Sequence, residues 1–227
     1  MGLAERADVI VDFTHLRAGT EVYLINEGPD EPFGGGVPGK DFAPADPETT
    51  GQVMKFVVVP LTSQDDSTLP QRLVLPAFTP LGAATNTRKV SLNEEDSSVL
   101  EGVGPRAALL GTLDENGNPV NMNWDDPITE NPDLNSIEIW EIYNFTEDAH
   151  PIHIHEVQFQ VVDREEFDRR RRRPPEDWET GFKDTVIAYP GEITRVKALF
   201  DNPGLFVWHC HIVEHEDHEM MRPYRIS

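Results

Sequence analysis

Apolar and polar residues alternate with a period of two along most of the chain, in short runs bounded by Gly, Pro, Asn and Asp. An extended segment patterned this way turns one face to a core and the other to water, so each run predicts a half-buried strand. The pattern predicts strands over Ala7–Phe13, Thr20–Asn26, Gln52–Val59, Gln71–Leu75, Arg88–Leu92, Ser136–Asn144, Glu156–Val162, Thr194–Phe200 and Leu205–Ile212. The segment His150–His155 also reads as a strand. Asp114-Glu115-Asn116-Gly117 has the composition of a hairpin turn, because Asn-Gly tolerates positive φ. No long helix is indicated. The fold class is therefore all-β, a sandwich or Greek-key barrel.

Residues 28–51 form a loop containing Gly34-Gly35-Gly36 and five prolines, too long for a plain connector. A second break falls at Pro60–Leu69. These place a domain boundary at about residue 60, with residues 1–60 as part of one domain and residues 61–227 as a complete one. The first piece holds fewer strands than a sandwich normally uses. Arg169–Arg173 lies between Glu165, Glu166, Asp168, Glu176 and Asp177, and reads as a solvated loop whose charges are neutralised locally.

Composition narrows the functional classes. In 227 residues, 41 Asp plus Glu oppose 19 Lys plus Arg, a formal charge of -22. Nucleic acid is excluded as an expected partner, since it is bound by clustered cations. The recurring apolar runs argue against disorder, and none approaches the roughly 20 residues of a membrane span. Met1–Arg6 shows neither a basic nor an apolar leader region. The single cysteine, Cys210, cannot form an intrachain disulfide, so it is either apolar filler or a ligating or reactive thiolate.

Seven of the eight histidines fall in two segments, His150–His155 and His209–His218. Side chains alternate faces along a strand, so His153 and His155 point one way and His150 the other. Likewise His209 and His211 share a face, with Cys210 opposite. Paired, the two strands offer His150 with Cys210 on one side and four imidazoles on the other. The spacing Cys-x4-His-x4-Met returns His215 and Met220 to the Cys210 side. Two imidazoles, a thiolate and a weak thioether are the donors of a blue-copper centre. Met221 is an alternative axial donor one position away. Zinc also takes Cys and His, but a structural zinc site has no need of two opposed clusters built from adjacent residues. His15 reads as a hydrogen-bonded core residue and His218 as a loop residue.

The segments His150-Pro-Ile-His-Ile-His and Trp208-His-Cys-His-Ile-Val-Glu-His-Glu-Asp-His-Glu-Met-Met-Arg-Pro resemble the last two copper motifs of multicopper oxidases, particularly the spore-coat laccase and bilirubin oxidase branch. Glu5–Phe13 resembles a strand of that family's middle cupredoxin domain, and Lys183-Asp184-Thr185 a strand start in its last. The resemblance implies a cupredoxin-like Greek-key sandwich preceded by part of a second cupredoxin domain. It further implies that His150, Cys210, His215 and Met220 hold a type 1 copper, that His153 binds the type 2 copper, and that His155, His209 and His211 bind the type 3 pair. Glu216 matches a position associated with proton delivery to dioxygen. The family uses eight histidines for the oxygen-reducing cluster, four of them in N-terminal His-x-His motifs that this sequence does not contain.

The function so implied is laccase-type oxidation. A small phenol or aromatic amine would give single electrons beside the exposed edge of His215 or His150, and dioxygen would be reduced at the histidine face. An electron-transfer or copper-binding module without its own oxygen site is the rival expectation. Four histidines cannot enclose a whole cluster, so a homo-oligomer or a complex with an N-terminal chain is expected. The resemblance also suggests a secreted, envelope-associated or spore-associated setting.

Overall fold

The computed structural model describes residues 1–99 and 104–227. Their contacts divide the chain into Ala7–Phe78 and a larger unit made of Met1–Arg6 with Thr79–Ser227. The division thus falls after the expected boundary near residue 60. The segment between carries no strand, only the one-turn 3₁₀ helix Pro70–Arg72, and so adds nothing to either sheet system.

Within Ala7–Phe78, strands β1 (Glu21–Ile25) and β2 (Gln52–Val57) form an antiparallel pair. Only Ala45 and Gly51 are buried in this unit. Ala7–Phe13 is not a strand, although its alternation suits one, and Val9, Ile10 and Val11 stay exposed. The pattern supplies a face, but no neighbouring backbone pairs with it. Gln71–Leu75 fails for the same reason, with Pro70 starting the 3₁₀ turn instead. His15 is exposed, which corrects its expected place in a core.

The larger unit is a two-sheet sandwich. One sheet has eight strands, in the order β10 (Phe182–Lys183), β8 (Phe159–Glu166), β12 (Glu192–Phe200), β6 (Ser136–Asn144), β3 (Asn86–Asp96), β4 (Pro105–Leu113), β5 (Pro119–Met122), with β9 (Arg172–Arg173) paired to β8. The other has four, in the order β11 (Thr185–Ala188), β7 (His150–Ile154), β13 (Gly204–Cys210), β14 (Met221–Ile226). β3 runs parallel to β6, and the other named pairings are antiparallel. The turn at Asp114–Gly117 does join β4 to β5, with Gly117 at φ 86°.

Alternation along β6 buries Glu138, Trp140, Ile142 and Asn144. Trp140 spans the two sheets: its ring stacks on Phe200 at 5.8 Å and meets Trp208 and Tyr224 edge-on at 5.8 and 5.6 Å. Burying four aromatic side chains in one cluster supplies much of the apolar free energy of the sandwich. β14 is an edge strand, which lets it contain Pro223 without breaking a ladder. Arg172 and Arg173 form a short strand where a loop was expected, but their charges are neutralised as expected, by Asp163 and Glu165 and by Glu176 and Glu192. Among the described residues no helix is long and apolar enough to cross a membrane.

Candidate metal centre

Two neighbouring strands of the small sheet carry the histidines. Antiparallel pairing of β7 with β13 sets His153 opposite His209 and Ile152 opposite Cys210. His155 and His211 lie just beyond the strand ends, and β13 then passes into a single helical turn, α1 (Val213–Glu216), which returns His215 toward Cys210. The hydrogen bonds from the Met220 amide to the His215 carbonyl and from the Cys210 amide to the Met220 carbonyl, at 3.0 and 3.1 Å, fasten this return.

On one face, His150 Nδ1 lies 3.6 Å from Cys210 Sγ, His215 Nδ1 lies 3.9 Å from the same sulfur, and the two nitrogens are 3.2 Å apart. Three donors arranged in a plane at about 2.0–2.3 Å from one ion stand roughly 3.5–4 Å from each other, so this triangle fits a single metal. His150 and Cys210 are fully buried, as is Met220, whose side chain belongs to the same apolar cluster as Cys210. Met221 instead lines an open surface pocket. Burial, reinforced by His215, pulls the His150 pKa down to about 3 and keeps the ring neutral. Burial also pushes the Cys210 thiol up to about 12, so a metal must displace its proton to bind. His215 is only partly buried, and the full burial of His150 corrects the expectation that either ring could offer an exposed edge.

On the opposite face, His153, His155 and His209 bring ring nitrogens within 4.8 Å of one another. His155 Nε2 and His209 Nε2 are 3.2 Å apart, and the His211 ring lies 5.1 Å from that of His209 and 5.6 Å from that of His153. His153 Nδ1 bonds the Asp184 carbonyl at 2.7 Å and His209 Nδ1 the Cys210 carbonyl at 2.9 Å. A carbonyl only accepts, so both rings carry a proton on Nδ1, which leaves Nε2 as the ligating position of each. Partial desolvation beside the neighbouring imidazoles lowers the pKa of the more exposed His155, and burial lowers that of His209, which favours the neutral, ligating form of both. The Glu216 carboxylate is 3.5 Å from His209 Nδ1. His218, on the loop as expected, meets the Arg106 carbonyl at 2.9 Å.

Two supports of the site were not legible in the sequence. Asp184 holds His153 through its carbonyl and is itself held by a two-pronged bond from Arg6, both contacts at 2.7 Å. Thr146 reaches His150 Nε2 at 2.7 Å. Neither residue has a periodicity or spacing that marks it; only the folded loops bring them to the rings.

Beside α1 lies an open pocket of about 750 Å³, lined by Trp124, Asp125, Val213, Glu216, Asp217, Glu219 and Met221. Buried Arg222 shapes its wall by donating to the carbonyls of Asn123, Asp126 and Pro127, the loop that carries Trp124.

The multicopper oxidase family model matches residues 93–227. A laccase of Bacillus subtilis is 38% identical over 99% of this chain and 42% of its own length. A bilirubin oxidase of Albifimbria verrucaria is 31% identical over 100% of this chain and 36% of its own length. The chain thus spans about two fifths of the length of these curated relatives. Among solved structures, the McoA multicopper oxidase of Aquifex aeolicus superposes with a TM-score of 0.64 at 26% identity, covering 96% of this chain and 42% of that one. A multicopper oxidase of Campylobacter jejuni shares the fold with a TM-score of 0.66 at 20% identity, over 92% of this chain and 41% of that one. The sandwich is accordingly of the cupredoxin type.

Proposed function

The chain belongs to the multicopper oxidase family, and from that premise we propose that it carries the electron-accepting half of a laccase-type oxidase for phenols or aromatic amines. One observation carries this reading: two donor sets on opposite faces of the sheet are joined by the consecutive residues His209, Cys210 and His211. The unit Ala7–Phe78 is proposed to be part of a middle cupredoxin domain.

In this reading His150, Cys210, His215 and Met220 hold the type 1 copper, His153 the type 2 copper, and His155, His209 and His211 contribute to the type 3 pair. Copper bound at these sites would supply one-electron transfer from an organic reductant to dioxygen. His215 is the more exposed imidazole of its site, which supports it as the point of electron entry. The nearby pocket suits a neutral or cationic aromatic: Trp124 offers a face for stacking, while Asp125, Asp217 and Glu219 disfavour an anion. Cys210 connects to both His209 and His211 through single peptide units, a short covalent route between the two faces. Glu216 places a carboxylate beside His209, where it can hold and pass a proton.

A second reading, a type 1 electron-transfer or copper-binding module, draws support from the number of imidazoles on the histidine face. Those four need further ligands, from another copy of the chain or from an N-terminal chain. Copper per chain, mass in solution and oxygen uptake with a simple phenol, measured on one preparation, test the proposal. More than one copper per chain with catalytic uptake supports the oxidase. A blue protein with one copper per chain and no uptake favours the electron-transfer module.

A further inference from the structure

The loop between β6 and β7 is folded around one carboxamide. Asn144 Nδ2 donates to the carbonyls of Asp148 and Ala188, at 2.7 and 3.0 Å. Both partners only accept, so the amide cannot be flipped, and its oxygen faces Thr146. That oxygen accepts from the Thr146 amide at 2.9 Å and lies 2.7 Å from the Thr146 hydroxyl. The hydroxyl also lies 2.9 Å from the Asp148 carbonyl and 2.7 Å from His150 Nε2. Asn144, Thr146 and His150 are all buried, which leaves little room for water to substitute for any of these bonds.

Counting protons decides the direction of the last contact. The Thr146 hydroxyl has one proton, and two of its neighbours, Asn144 Oδ1 and the Asp148 carbonyl, can only accept it. Giving that proton to His150 would leave both oxygens facing a hydroxyl lone pair, at 2.7 and 2.9 Å. The favoured arrangement, with the Asp148 amide donating to the hydroxyl at 3.3 Å, therefore has the hydroxyl accept toward His150 from a ring proton on Nε2. The Nδ1 lone pair is then left facing Cys210 Sγ and His215 Nδ1. We infer that Thr146, oriented by Asn144, is a positioning residue that locks His150 in the tautomer and ring orientation its metal site requires. The loop thus prepares one ligand before any metal arrives and limits the rearrangement of that ring when the metal changes oxidation state.

The inference rests on the type 1 reading of this site. Its first test is the tautomer itself, from nitrogen–proton correlation spectra of the metal-free chain and of the diamagnetic Cu(I)-loaded chain. His150 is expected to show a proton on Nε2 that exchanges slowly with solvent in both. A proton on Nδ1 of the metal-free protein, or a rapidly exchanging one on Nε2, overturns the inference without need of any variant. The second test is Thr146→Val, which keeps the shape and removes the hydroxyl. It is expected to weaken copper retention roughly tenfold and to shift the thiolate charge-transfer band, with Thr146→Ser restoring both. If the valine variant fails to fold, Thr146→Ala gives the same comparison. A blue parent whose hydroxyl-free variants match it in retention and spectrum overturns the inference. A parent that binds copper without turning blue overturns the type 1 reading instead, while the metal-free spectrum still reports on the lock.

Discussion

Cys210 occupies a position where burial alone would keep a thiol protonated, so its expected thiolate exists only with a metal beside it. Cys210→Ser should therefore abolish the intense blue thiolate-to-Cu(II) absorption while leaving the circular dichroism of the sandwich unchanged, one small buried side chain replacing another; a variant that stays blue would exclude the sulfur as a ligand. The buried Met220 and the pocket-facing Met221 make a sharper comparison. Removing a weak donor destabilises the more electron-poor Cu(II) more than Cu(I), so Met220→Leu should raise the reduction potential with copper still bound, and Met221→Leu should leave it in place. Voltammetry of both variants tests which methionine is axial. Glu216 makes a different case, because its carboxylate lies beside the histidine face. Glu216→Gln should slow dioxygen reduction in stopped-flow reoxidation far more than anaerobic reduction by a phenol. Equal slowing of both half-reactions would assign Glu216 a structural role.

The elements hold these side chains through pairings of uneven worth. Arg164 of β8 is fully buried and forms a two-pronged bond with Glu179 of the 3₁₀ turn Asp177–Glu179, at 2.5 and 2.7 Å, while also donating to the Ile187 carbonyl of β11. It therefore ties the large sheet to the strand beside β7. Burial opposes the Glu179 charge, but the hydrogen bonds and charge of Arg164 outweigh it and hold the carboxyl below its ordinary range. Glu179→Gln leaves a buried guanidinium uncompensated and should cost about 3 kcal/mol at neutral pH, measured by urea unfolding. Because the native pKa is depressed, this contribution is complete above the ordinary carboxylate pKa and is lost as pH falls through the native value. The gap between parent and variant should accordingly shrink on acidification. A gap that is constant with pH would mean that the carboxylate charge is not what stabilises the pair.

The molecule as a whole divides its apolar surface unequally. The sandwich of the larger unit encloses a continuous core, whereas Ala7–Phe78 leaves Leu24, Ile25, Val53, Met54 and Val57 exposed on its two strands. Strands with open edges and apolar faces invite pairing with another chain. Sedimentation equilibrium of the chain alone should show concentration-dependent association, and Val53→Lys with Val57→Lys should reduce it by charging β2. A parent that stays monomeric at tens of micromolar would refute self-association through this unit.

Much of this molecule follows from local rules. The sequence by itself determined the all-β class, the hairpin at Asp114–Gly117 and the division of the histidines between two faces, because side-chain alternation needs only the residue and its immediate neighbours. Tertiary structure alone decided which strands exist. Ser136–Asn144 became β6 over its whole predicted length, while Ala7–Phe13, equally well patterned, found no backbone partner. It also decided the facing of His153 with His209, the inner and outer places of Met220 and Met221, and the exposure of His15. The contacts of Thr146 with His150 and of Asp184 with His153 belong to the same class. Such features depend on registers between segments distant in the chain and on buried hydrogen bonds whose partners no periodicity announces. Packing around Trp140 fixes those registers only when both sheets are assembled.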